Sequence, residues 1–428
     1  MTHISHTQEV RISTKPSSQR IVSLGLMTAL MILVLIAGCV DDSNSYDIGV
    51  VRTNTEGETL WDQNVDSGYG DHLHWTSSLQ SDVVSMPDGK VFVGYRLYNR
   101  PSSDPSMHMG WITCLGPDGE KIWDWSMESK WPAAYAPTSD GGCIVVPHWM
   151  KSLVKIGPGG KTEWTVFASA ILEQLPPKKR PTDASISSIA STDSGHYLVG
   201  GGFKKGLFCA RIDENGTVMD VKEYSGPKKS LPGIKAIVPM KDGGWSVVGG
   251  SYEKPGLARL DAHGEILWNA TLPYSPSEFR GVRENGEGGL EVLVEEVERD
   301  TISDSEYISY DPDGTMHNIV YSPDGAIFRE ETFAILPECP ITWATDRGYV
   351  VAALMHDEGD LGYFASFDSS SYVHLIKYDE TGRQEWDRTV GSEPDMYHVV
   401  TINAVGEDGY VVVGERVKER SFFDILDS

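Results

Sequence analysis

The stretch Asp379-Glu380-Thr381-Gly382-Arg383-Gln384-Glu385-Trp386 has the pattern of a strand end, a tight turn and the start of the next strand. Glycine supplies the positive φ of such a turn, and the aspartate can accept hydrogen bonds from turn amides. Variants of this stretch recur along the chain, with turn glycines at Gly57, Gly119, Gly160, Gly216, Gly264, Gly314 and Gly382. The recurrence predicts a repeat architecture.

The residue four positions after the turn glycine is usually a tryptophan. The copies have Trp61, Trp123, Trp164, Trp268 and Trp386, and two copies depart with Asp220 and Asn318. A tryptophan on an outer strand can bury a large ring against a neighbouring unit. We therefore expect these side chains to join consecutive repeats.

A second element alternates with the first. It is a glycine turn followed by a short apolar run, and its second turn glycine falls at Gly89, Gly142, Gly195, Gly244, Gly289, Gly348 and Gly409. Asp-Gly turns between apolar runs indicate hairpins. Each repeat is then four antiparallel strands, a to d, with tight a–b and c–d turns. The sequence predicts an all-β, seven-bladed β-propeller of four-stranded antiparallel blades.

The two chain ends contain complementary halves of one repeat. Ile425-Leu426-Asp427 matches the beginning of a c–d turn, and the remaining half, from Glu56 to Trp61, stands near the N-terminus. We expect the N-terminal strand to pair with the C-terminal strand and close the last blade. This closure removes two exposed sheet edges.

The spacing of Asp379, Thr381, Gly382 and Trp386 resembles the tryptophan-docking repeat of quinoprotein-type (PQQ-like) β-propellers, with consensus Ala-x-Asp-x-x-Thr-Gly-x-x-x-Trp. The copy at residues 258–268 matches less closely, because its alanine is out of register and threonine is absent. The resemblance covers roughly residues 54–428 at the level of the repeat, and it implies the fold rather than an activity.

Quinone enzymes of that family usually have eight blades, an adjacent Cys-Cys pair, and calcium and quinone ligands. The seven repeats and the absence of adjacent cysteines in this sequence argue against such an enzyme. We expect no cofactor. The closer analogy within the resemblance is to non-enzymatic relatives, including propeller lipoproteins of outer-membrane assembly.

The N-terminus has the pattern of an export signal. Residues 1–20 carry three basic side chains, residues 21–38 are mainly apolar, and the run ends in Leu35-Ile36-Ala37-Gly38-Cys39. This end resembles the lipobox of prokaryotic lipoproteins, which implies lipidation of Cys39. The predicted organisation is a signal peptide (1–38), a polar tether (39–53) and the propeller (54–428), on the extracytoplasmic side of a membrane. An uncleaved membrane anchor is the alternative, since the run is near the lower limit of a span.

Charge and cysteine content exclude several classes of function. The formal net charge of −26 argues against a nucleic-acid partner, because binding to phosphates needs Lys and Arg. The five cysteines form no Cys-x-x-Cys pair, so zinc and thioredoxin-type sites are unsupported. Cys114, Cys143 and Cys209 lie in strand-like runs and are expected to be buried thiols, with a disulfide still possible outside the cytosol. We expect a monomer.

A binding site is expected on the face that carries the longer b–c and d–a connections. These are residues 66–76, 95–109, 168–184, 322–339 and 356–372. The candidate binding residues in the loops of this face are His72, His74, Trp75, His148, Trp149, His356, Asp357 and Tyr363. Aromatic rings beside carboxylates could hold a sugar or a peptide, or the rings could simply pack the loops. The histidines are too sparse to predict a metal site.

No Gly-x-Ser-x-Gly, P-loop or His-Glu-x-x-His motif occurs, and no catalytic residue is assigned. The favoured hypothesis is a binding or scaffold module for a protein or glycan partner. The enzymatic alternative is a propeller hydrolase or lyase acting on surface glycans with Asp and His from the same loops. A third possibility is a purely structural envelope component.

Overall fold

The computed structural model describes the propeller in a set of segments. They are residues 46–65, 83–86, 88–98, 108–128, 132–147, 151–176, 180–181, 183–204, 206–225, 234–251, 254–274, 277–302, 305–310, 315–334, 339–355, 361–362, 372–391 and 396–417. Within them, the strands form seven separate antiparallel sheets, each with a path of four strands. The predicted seven-bladed β-propeller is confirmed.

The first four blades take their strands in chain order. They are blade 1 with β3 (Val83–Ser85), β4 (Val91–Tyr98), β5 (His108–Leu115) and β6 (Lys121–Glu128); blade 2 with β7 (Pro132–Pro137), β8 (Cys143–Pro147), β9 (Ser152–Ile156) and β10 (Thr162–Phe167); blade 3 with β11 (Ser185–Ser191), β12 (Tyr197–Phe203), β13 (Gly206–Ile212) and β14 (Val218–Ser225); and blade 4 with β15 (Ile234–Pro239), β16 (Trp245–Ser251), β17 (Lys254–Leu260) and β18 (Ile266–Thr271).

Blades 5 and 6 each add a strand between b and c, and blade 7 combines both chain ends. They are blade 5 with β19 (Ser277–Glu284), β20 (Leu290–Ile302), β21 (Ser305–Tyr310), β22 (Thr315–Tyr321) and β23 (Ile327–Ala334); blade 6 with β24 (Ile341–Trp343), β25 (Tyr349–Met355), β26 (Leu361–Gly362), β27 (Tyr372–Tyr378) and β28 (Gln384–Val390); and blade 7 with β29 (Met396–Ala404), β30 (Tyr410–Val417), β1 (Tyr46–Thr53) and β2 (Thr59–Val65).

The closing blade takes two strands from each end of the chain. β1 pairs with β30 from Tyr46↔Val417 to Thr53↔Tyr410, so the expected pairing of the N-terminal strand with the C-terminal strand is confirmed. However, β1 occupies residues that the sequence assigned to the tether, and the propeller begins at Tyr46 rather than at residue 54. The segment predicted to form strand c, Ile425–Asp427, lies outside the described residues.

The physical reason for the earlier start is that the N-terminal copy of the c–d turn is complete. Asn54 takes the place of the usual aspartate, and its Oδ1 accepts hydrogen bonds from the amides of Glu56 (3.1 Å) and Glu58 (2.8 Å). Asp379 does the same for Thr381 (2.8 Å) and Arg383 (3.0 Å). The strand before Asn54 is therefore a genuine strand c.

The side chain of Arg416 stabilises the pairing of the two chain ends. Arg416 of β30 reaches across β1 to β2, where its guanidinium pairs with Asp62 and donates to Asn64 Oδ1 (2.9 Å). It crosses at Gly49, where a Cβ would collide with the arginine side chain. Arg416 and the Asp62 side chain are both almost fully buried. The pair thus joins the two chain ends inside the blade.

The turn assignment in blade 5 was wrong. Gly314 lies outside the described residues, and the c–d turn is Ser322-Pro323-Asp324-Gly325, with Gly325 at φ 87°. Asn318 consequently lies inside strand c, and the residue four positions after the turn glycine is Arg329. The predicted long connection 322–339 contains β23. Both stretches are good turn sequences, and the pairing of β20 with β22 decides between them.

In the a–b turns of blades 2, 4 and 5 the residue with positive φ is the glycine just before the second turn glycine, at Gly141, Gly243 and Gly288. The glycines that follow, Gly142, Gly244 and Gly289, have a different role. A Cβ there would collide with the last carbonyl oxygen of strand c in the same blade. These glycines allow strand b to approach strand c closely.

Consecutive blades are joined as expected at the tryptophan position. The indole Nε1 of Trp61, Trp164 and Trp268 donates to Pro117 O (2.8 Å), Glu214 O (3.0 Å) and Pro323 O (2.8 Å), respectively. Each acceptor lies in the c–d turn of the next blade. In blade 5 the corresponding Arg329 reaches Glu380, in the c–d turn of blade 6, at 3.4 Å.

The hydrophobic core lies mainly between blades. The largest cluster spans blades 2 and 3, and includes Ile144, Leu153, Ile186 and Phe208, all fully buried. A short helix, α1 (Ala168–Leu172), adds Ile171 and Leu172 to it. Part of the long connection predicted at residues 168–184 is therefore helical and packs into the core.

Candidate functional site

The sequence-predicted binding residues, His72, His74, Trp75, His148, Trp149, His356, Asp357 and Tyr363, all lie outside the described residues. So does Cys39. Their roles in binding and lipidation stay predictions. The strands that lead to their predicted face lie within the described residues.

This loop face, defined by the b–c and d–a connections, is extended at blade 5. The first part of β20 pairs with β22, up to Glu295↔Met316. Beyond that point β20 continues, and Val297–Ile302 pairs with Ser305–Tyr310 of β21. The segment contains Val297, Thr301 and Ile302, whose β-branched side chains favour strands. The result is a two-stranded hairpin that projects from the blade.

Blade 6 has a smaller extension of the same kind. Leu354 and Met355, at the end of β25, pair with Gly362 and Leu361 of β26. In the described part of the chain, these two adjacent blades are the ones with a fifth strand. Among the described b–c connections, those of blades 5 and 6 therefore extend the loop face by an added strand.

Two buried histidines lie in strand c of these same blades, each four residues before the final tyrosine. His317 Nδ1 lies 3.0 Å from Thr332 Oγ1, and its Nε2 lies 2.7 Å from Glu296 Oε1. The ring of Tyr274 stacks on it, with 3.5 Å between ring centroids. His317 is 3% exposed.

His374 also contacts a carboxylate and a threonine, but both belong to strand d of its blade. Its Nδ1 lies 2.8 Å from Asp387 Oδ1, and its Nε2 lies 3.2 Å from Thr389 Oγ1. Both ring nitrogens of each histidine are engaged and both side chains are more than nine-tenths buried, so neither ring is exposed to a substrate. His317 thus joins strand c of blade 5 to strands b and d, and His374 joins strand c of blade 6 to strand d.

Sequence reasoning missed both histidines, although a signal exists. His317-Asn-Ile-Val-Tyr321 and His374-Leu-Ile-Lys-Tyr378 share the pattern His-x-Ile-x-Tyr at equivalent positions. The misplaced turn at Gly314 concealed it, because it put strand c of blade 5 out of register.

Charged side chains line the contact between blades 5 and 6. Arg283 pairs with Glu291 at 2.7 Å and lies over the ring of Trp343, 4.1 Å from its centroid. Arg329 lies between Glu291 (3.8 Å) and Glu380. Nearer the loop face, Arg280 pairs with the buried carboxylate of Glu295. These charged residues are here called the polar seam. Their ion pairs join neighbouring strands of blade 5 and connect blade 5 to blade 6.

Cys114, Cys143 and Cys209 are buried free thiols, as predicted, and Cys339 is buried as well. Burial raises the pKa of Cys114 and of Cys209 to about 12. Such thiols stay protonated and weakly nucleophilic at neutral pH. In the described segments, no group of three or more His, Cys, Asp or Glu is arranged to hold a metal ion.

Among the helical residues described, no helix has the length and apolarity needed to cross a membrane. No protein-family profile matches the chain, and no curated protein matches it.

Several solved structures are similar at low identity. The β-propeller domain of Cps50 (Swd1) from Myceliophteria thermophila has a TM-score of 0.47 at 11% identity, covering 81% of this chain and 99% of that one. A protein from Lactobacillus plantarum has 0.46 at 14%, covering 86% and 99%. Virginiamycin B lyase from Staphylococcus aureus has 0.42 at 12%, covering 78% and 94%. No activity or partner follows from such similarity, and the seven-bladed propeller rests on the strand pairing of the chain itself.

Proposed function

We propose that the protein is a lipid-anchored, extracytoplasmic β-propeller of the PQQ-like repeat type that binds a protein or glycan partner through its loop face. The observation that carries the proposal is the projecting hairpin β20–β21, which continues a blade strand well beyond the sheet. An isolated two-stranded hairpin is marginally stable in water. A partner that covers the hairpin would stabilise it.

The opposite face supports this assignment by contrast. There the c–d turns are short, and their polar groups are satisfied within each turn, as at Asp379 and Asn54. Insertions on one face of a rigid scaffold commonly carry its binding function. The negative charge of the chain favours a neutral or basic partner over an acidic one.

The hydrolase or lyase alternative needs carboxylates that converge on a pocket of the loop face. Glu295 and Glu296 lie near that face, where β20 leaves its pairing with β22. They pair with Arg280 and His317, respectively, on opposite sides of β20. This arrangement favours binding over hydrolysis.

The test is a quantitative pull-down from an envelope fraction with immobilised mature protein. Two variants replace residues 297–310 or shorten residues 356–372, and a matched control, Asp118→Asn, alters an exposed turn on the other face. We expect both loop variants to lose a partner that the wild type and the control retain. Retention of the same partners by both loop variants would contradict the proposal.

Lipid anchoring has its own test. Cys39→Ser should release the protein from the membrane fraction, because the thiol that would carry the lipid is gone. Membrane fractionation with detection of the mature chain measures this. Unchanged retention would leave the uncleaved anchor as the explanation.

A further inference from the structure

A recurring ion pair stabilises the a–b turns. These turns lie on the face opposite the loop face, here called the turn face. In blades 2, 4 and 6, the cation just before the last residue of strand c reaches the aspartate at the third position of the a–b turn. The pairs are Lys155–Asp140 (2.6 Å), Arg259–Asp242 (2.5 Å) and Lys377–Asp346 (2.5 Å). All three cations are more than nine-tenths buried. The turn carboxylate thus helps to neutralise a buried charge in each blade, and in blades 2 and 6 a strand d carboxylate, Glu163 or Glu385, also pairs with the lysine (3.0 and 2.8 Å).

Blade 3 has the cation without the turn carboxylate. Its a–b turn begins at Thr192, and the third position is Ser194. The equivalent cation is Arg211, which pairs instead with Asp220 on strand d, through Nε at 2.6 Å. Its side chain is 32% exposed, unlike the buried cations of the other three blades. Arg211 is therefore accessible from the position where a turn aspartate would be.

That position opens into a cavity of about 420 Å³ between the a–b turns of blades 3, 4 and 5. This volume is in the range of roughly 300–1,000 Å³ that is typical of small-molecule sites. Arg211, Lys241 and His196 line it together with the hydroxyl-bearing Thr192 and Ser194. Leu198 and Met240 add an apolar surface.

Two acidic residues, Glu284 and Asp193, also line the cavity, and each belongs to another part of its wall than Arg211. The Glu284 carboxylate accepts the backbone amide of Lys241, at 3.2 and 3.0 Å to its two oxygens. Asp193 lies on the wall shared with a second cavity, lined also by Asp88 and Asp140. The side towards Arg211 and Lys241 thus combines cationic donors, hydroxyl groups and an apolar patch.

We propose that this cavity binds a carboxylate-bearing sugar, that is, a uronic acid, with the carboxylate at Arg211 in the place of the missing turn aspartate. A guanidinium recognises carboxylates through charge-assisted hydrogen bonds. Thr192 Oγ1 is already bonded within its turn by Ser194 and by the main chain of His196, so the Ser194 hydroxyl is the one that keeps an acceptor position for a sugar hydroxyl. Leu198 and Met240 offer a small apolar edge to the C–H face of the ring, since both side chains are more than nine-tenths buried. The site lies on the face opposite the proposed partner-binding face, and neither depends on the other.

The experiment is calorimetric titration of the intact mature protein with glucuronate, and with glucose as the neutral analogue. Wild type should bind glucuronate saturably and glucose at least about tenfold more weakly, the difference expected for one charge-assisted contact. Arg211→Gln should remove the preference for glucuronate.

The sharpest variant is Ser194→Asp, which restores the carboxylate found in blades 2, 4 and 6. It should compete with the ligand and weaken glucuronate binding about tenfold or more. Ser194→Asn, of similar size but neutral, should retain binding. Asp220→Asn should strengthen binding, because it frees Arg211 from its own partner. Circular dichroism checks that each variant is folded.

The proposal is overturned if wild type shows no saturable binding of glucuronate, or if glucose binds equally well. It is also overturned if folded Ser194→Asp and Arg211→Gln bind as tightly as wild type. If Ser194→Asp does not fold, Arg211→Gln and Asp220→Asn still give opposite expected shifts.

Discussion

The contact between blades 2 and 3 and the contact between blades 5 and 6 solve the same packing problem in different ways. Between blades 2 and 3, a large apolar cluster is supplemented by α1, and Trp164 bonds to the next turn. Between blades 5 and 6, the main apolar cluster has four buried members, Leu293, Met316, Phe333 and Tyr349. The polar seam runs beside it.

The difference predicts where the ring opens most easily. Apolar burial contributes about 25 cal/mol per Å² and requires no exact geometry. A buried ion pair contributes less, because desolvation offsets the attraction. The seam also contains Asn318 Oδ1 and Tyr349 OH, which are buried without a hydrogen-bond partner among the described residues. The contact between blades 5 and 6, below the extended loops, is therefore expected to have the lower local stability.

The largest effect is expected from the apolar contact. Phe208→Ala removes a fully buried ring from the cluster of blades 2 and 3 and should lower the free energy of unfolding by about 3–5 kcal/mol. Urea denaturation followed by fluorescence measures it. Leu267→Ala, at an exposed position on an outer strand, is the control and should change little. A loss below about 1 kcal/mol for Phe208→Ala would show that this contact is not the stable one.

A smaller loss is expected in the polar seam. Glu291→Gln leaves Arg283 and Arg329 without their shared carboxylate charge and keeps the side-chain volume. Since both arginine side chains are about one-third exposed, water compensates in part, and we expect a loss of about 1–2 kcal/mol. Denaturation at low and high salt measures it. The difference from wild type should shrink at high salt; a difference unaffected by salt would mean that packing, not charge, is responsible.

The sequence predicted the blades because their turns follow a local rule. A glycine with positive φ, an acceptor three residues before it and a large side chain four residues after it can all be read along the chain. The rule failed in blade 5, where Gly314 and Gly325 both stand in good turn sequences. The choice depends on the pairing of β20 with β22, which is not local.

The features near the loop face were harder to predict for the same reason. His317 contacts Glu296 on another strand of the same blade. Arg329 contacts Glu380 in the next blade. The closing strand was missed because Ile425-Leu426-Asp427 also matches the end of a strand c in sequence, and the pairing of β1 with β30 decides between the two chain ends. In each case the missing information concerns which strands become neighbours.

Thiol reactivity gives a kinetic comparison of two blade contacts. Cys339 packs with Val351 and Ala353 on the blade 6 surface of the polar-seam contact, and Cys209 packs in the apolar cluster of blades 3 and 4. Both are almost fully buried, so a thiol reagent reaches them only after local opening. We expect Cys339 to react faster under native conditions. Mass spectrometry of the labelled peptides measures both rates.

Glu291→Gln tests the cause of that difference. It should accelerate the labelling of Cys339 and leave the rate at Cys209 unchanged, because only the polar seam is weakened. Equal acceleration at both cysteines would indicate global unfolding rather than opening between blades 5 and 6.

The smallest expected effect is on the pH dependence of the free energy of unfolding, and here blades 2 and 6 should behave alike. Burial by itself raises the pKa of Asp140 and of Asp346, but the hydrogen bonds from Lys155 and Lys377 prevail and hold both pKa values below the ordinary range. A depressed pKa means that the stabilisation is present above the unfolded pKa, near 4, and is lost as the pH falls through the folded value. Because both carboxylates are partly exposed, each should contribute at most about 1 kcal/mol.

Asp140→Asn and Asp346→Asn should each reduce the loss of stability between pH 5 and pH 2, measured by urea titration at several pH values. Since each ion pair lies within one blade, the two reductions should be similar, even though blades 2 and 6 belong to different kinds of contact. Asp118→Asn, at an exposed turn, provides the baseline. A much larger effect of Asp346→Asn would mean that the Lys377–Asp346 pair of blade 6 also stabilises the polar seam. The two blade contacts would then differ in their stability at low pH as well as in their packing.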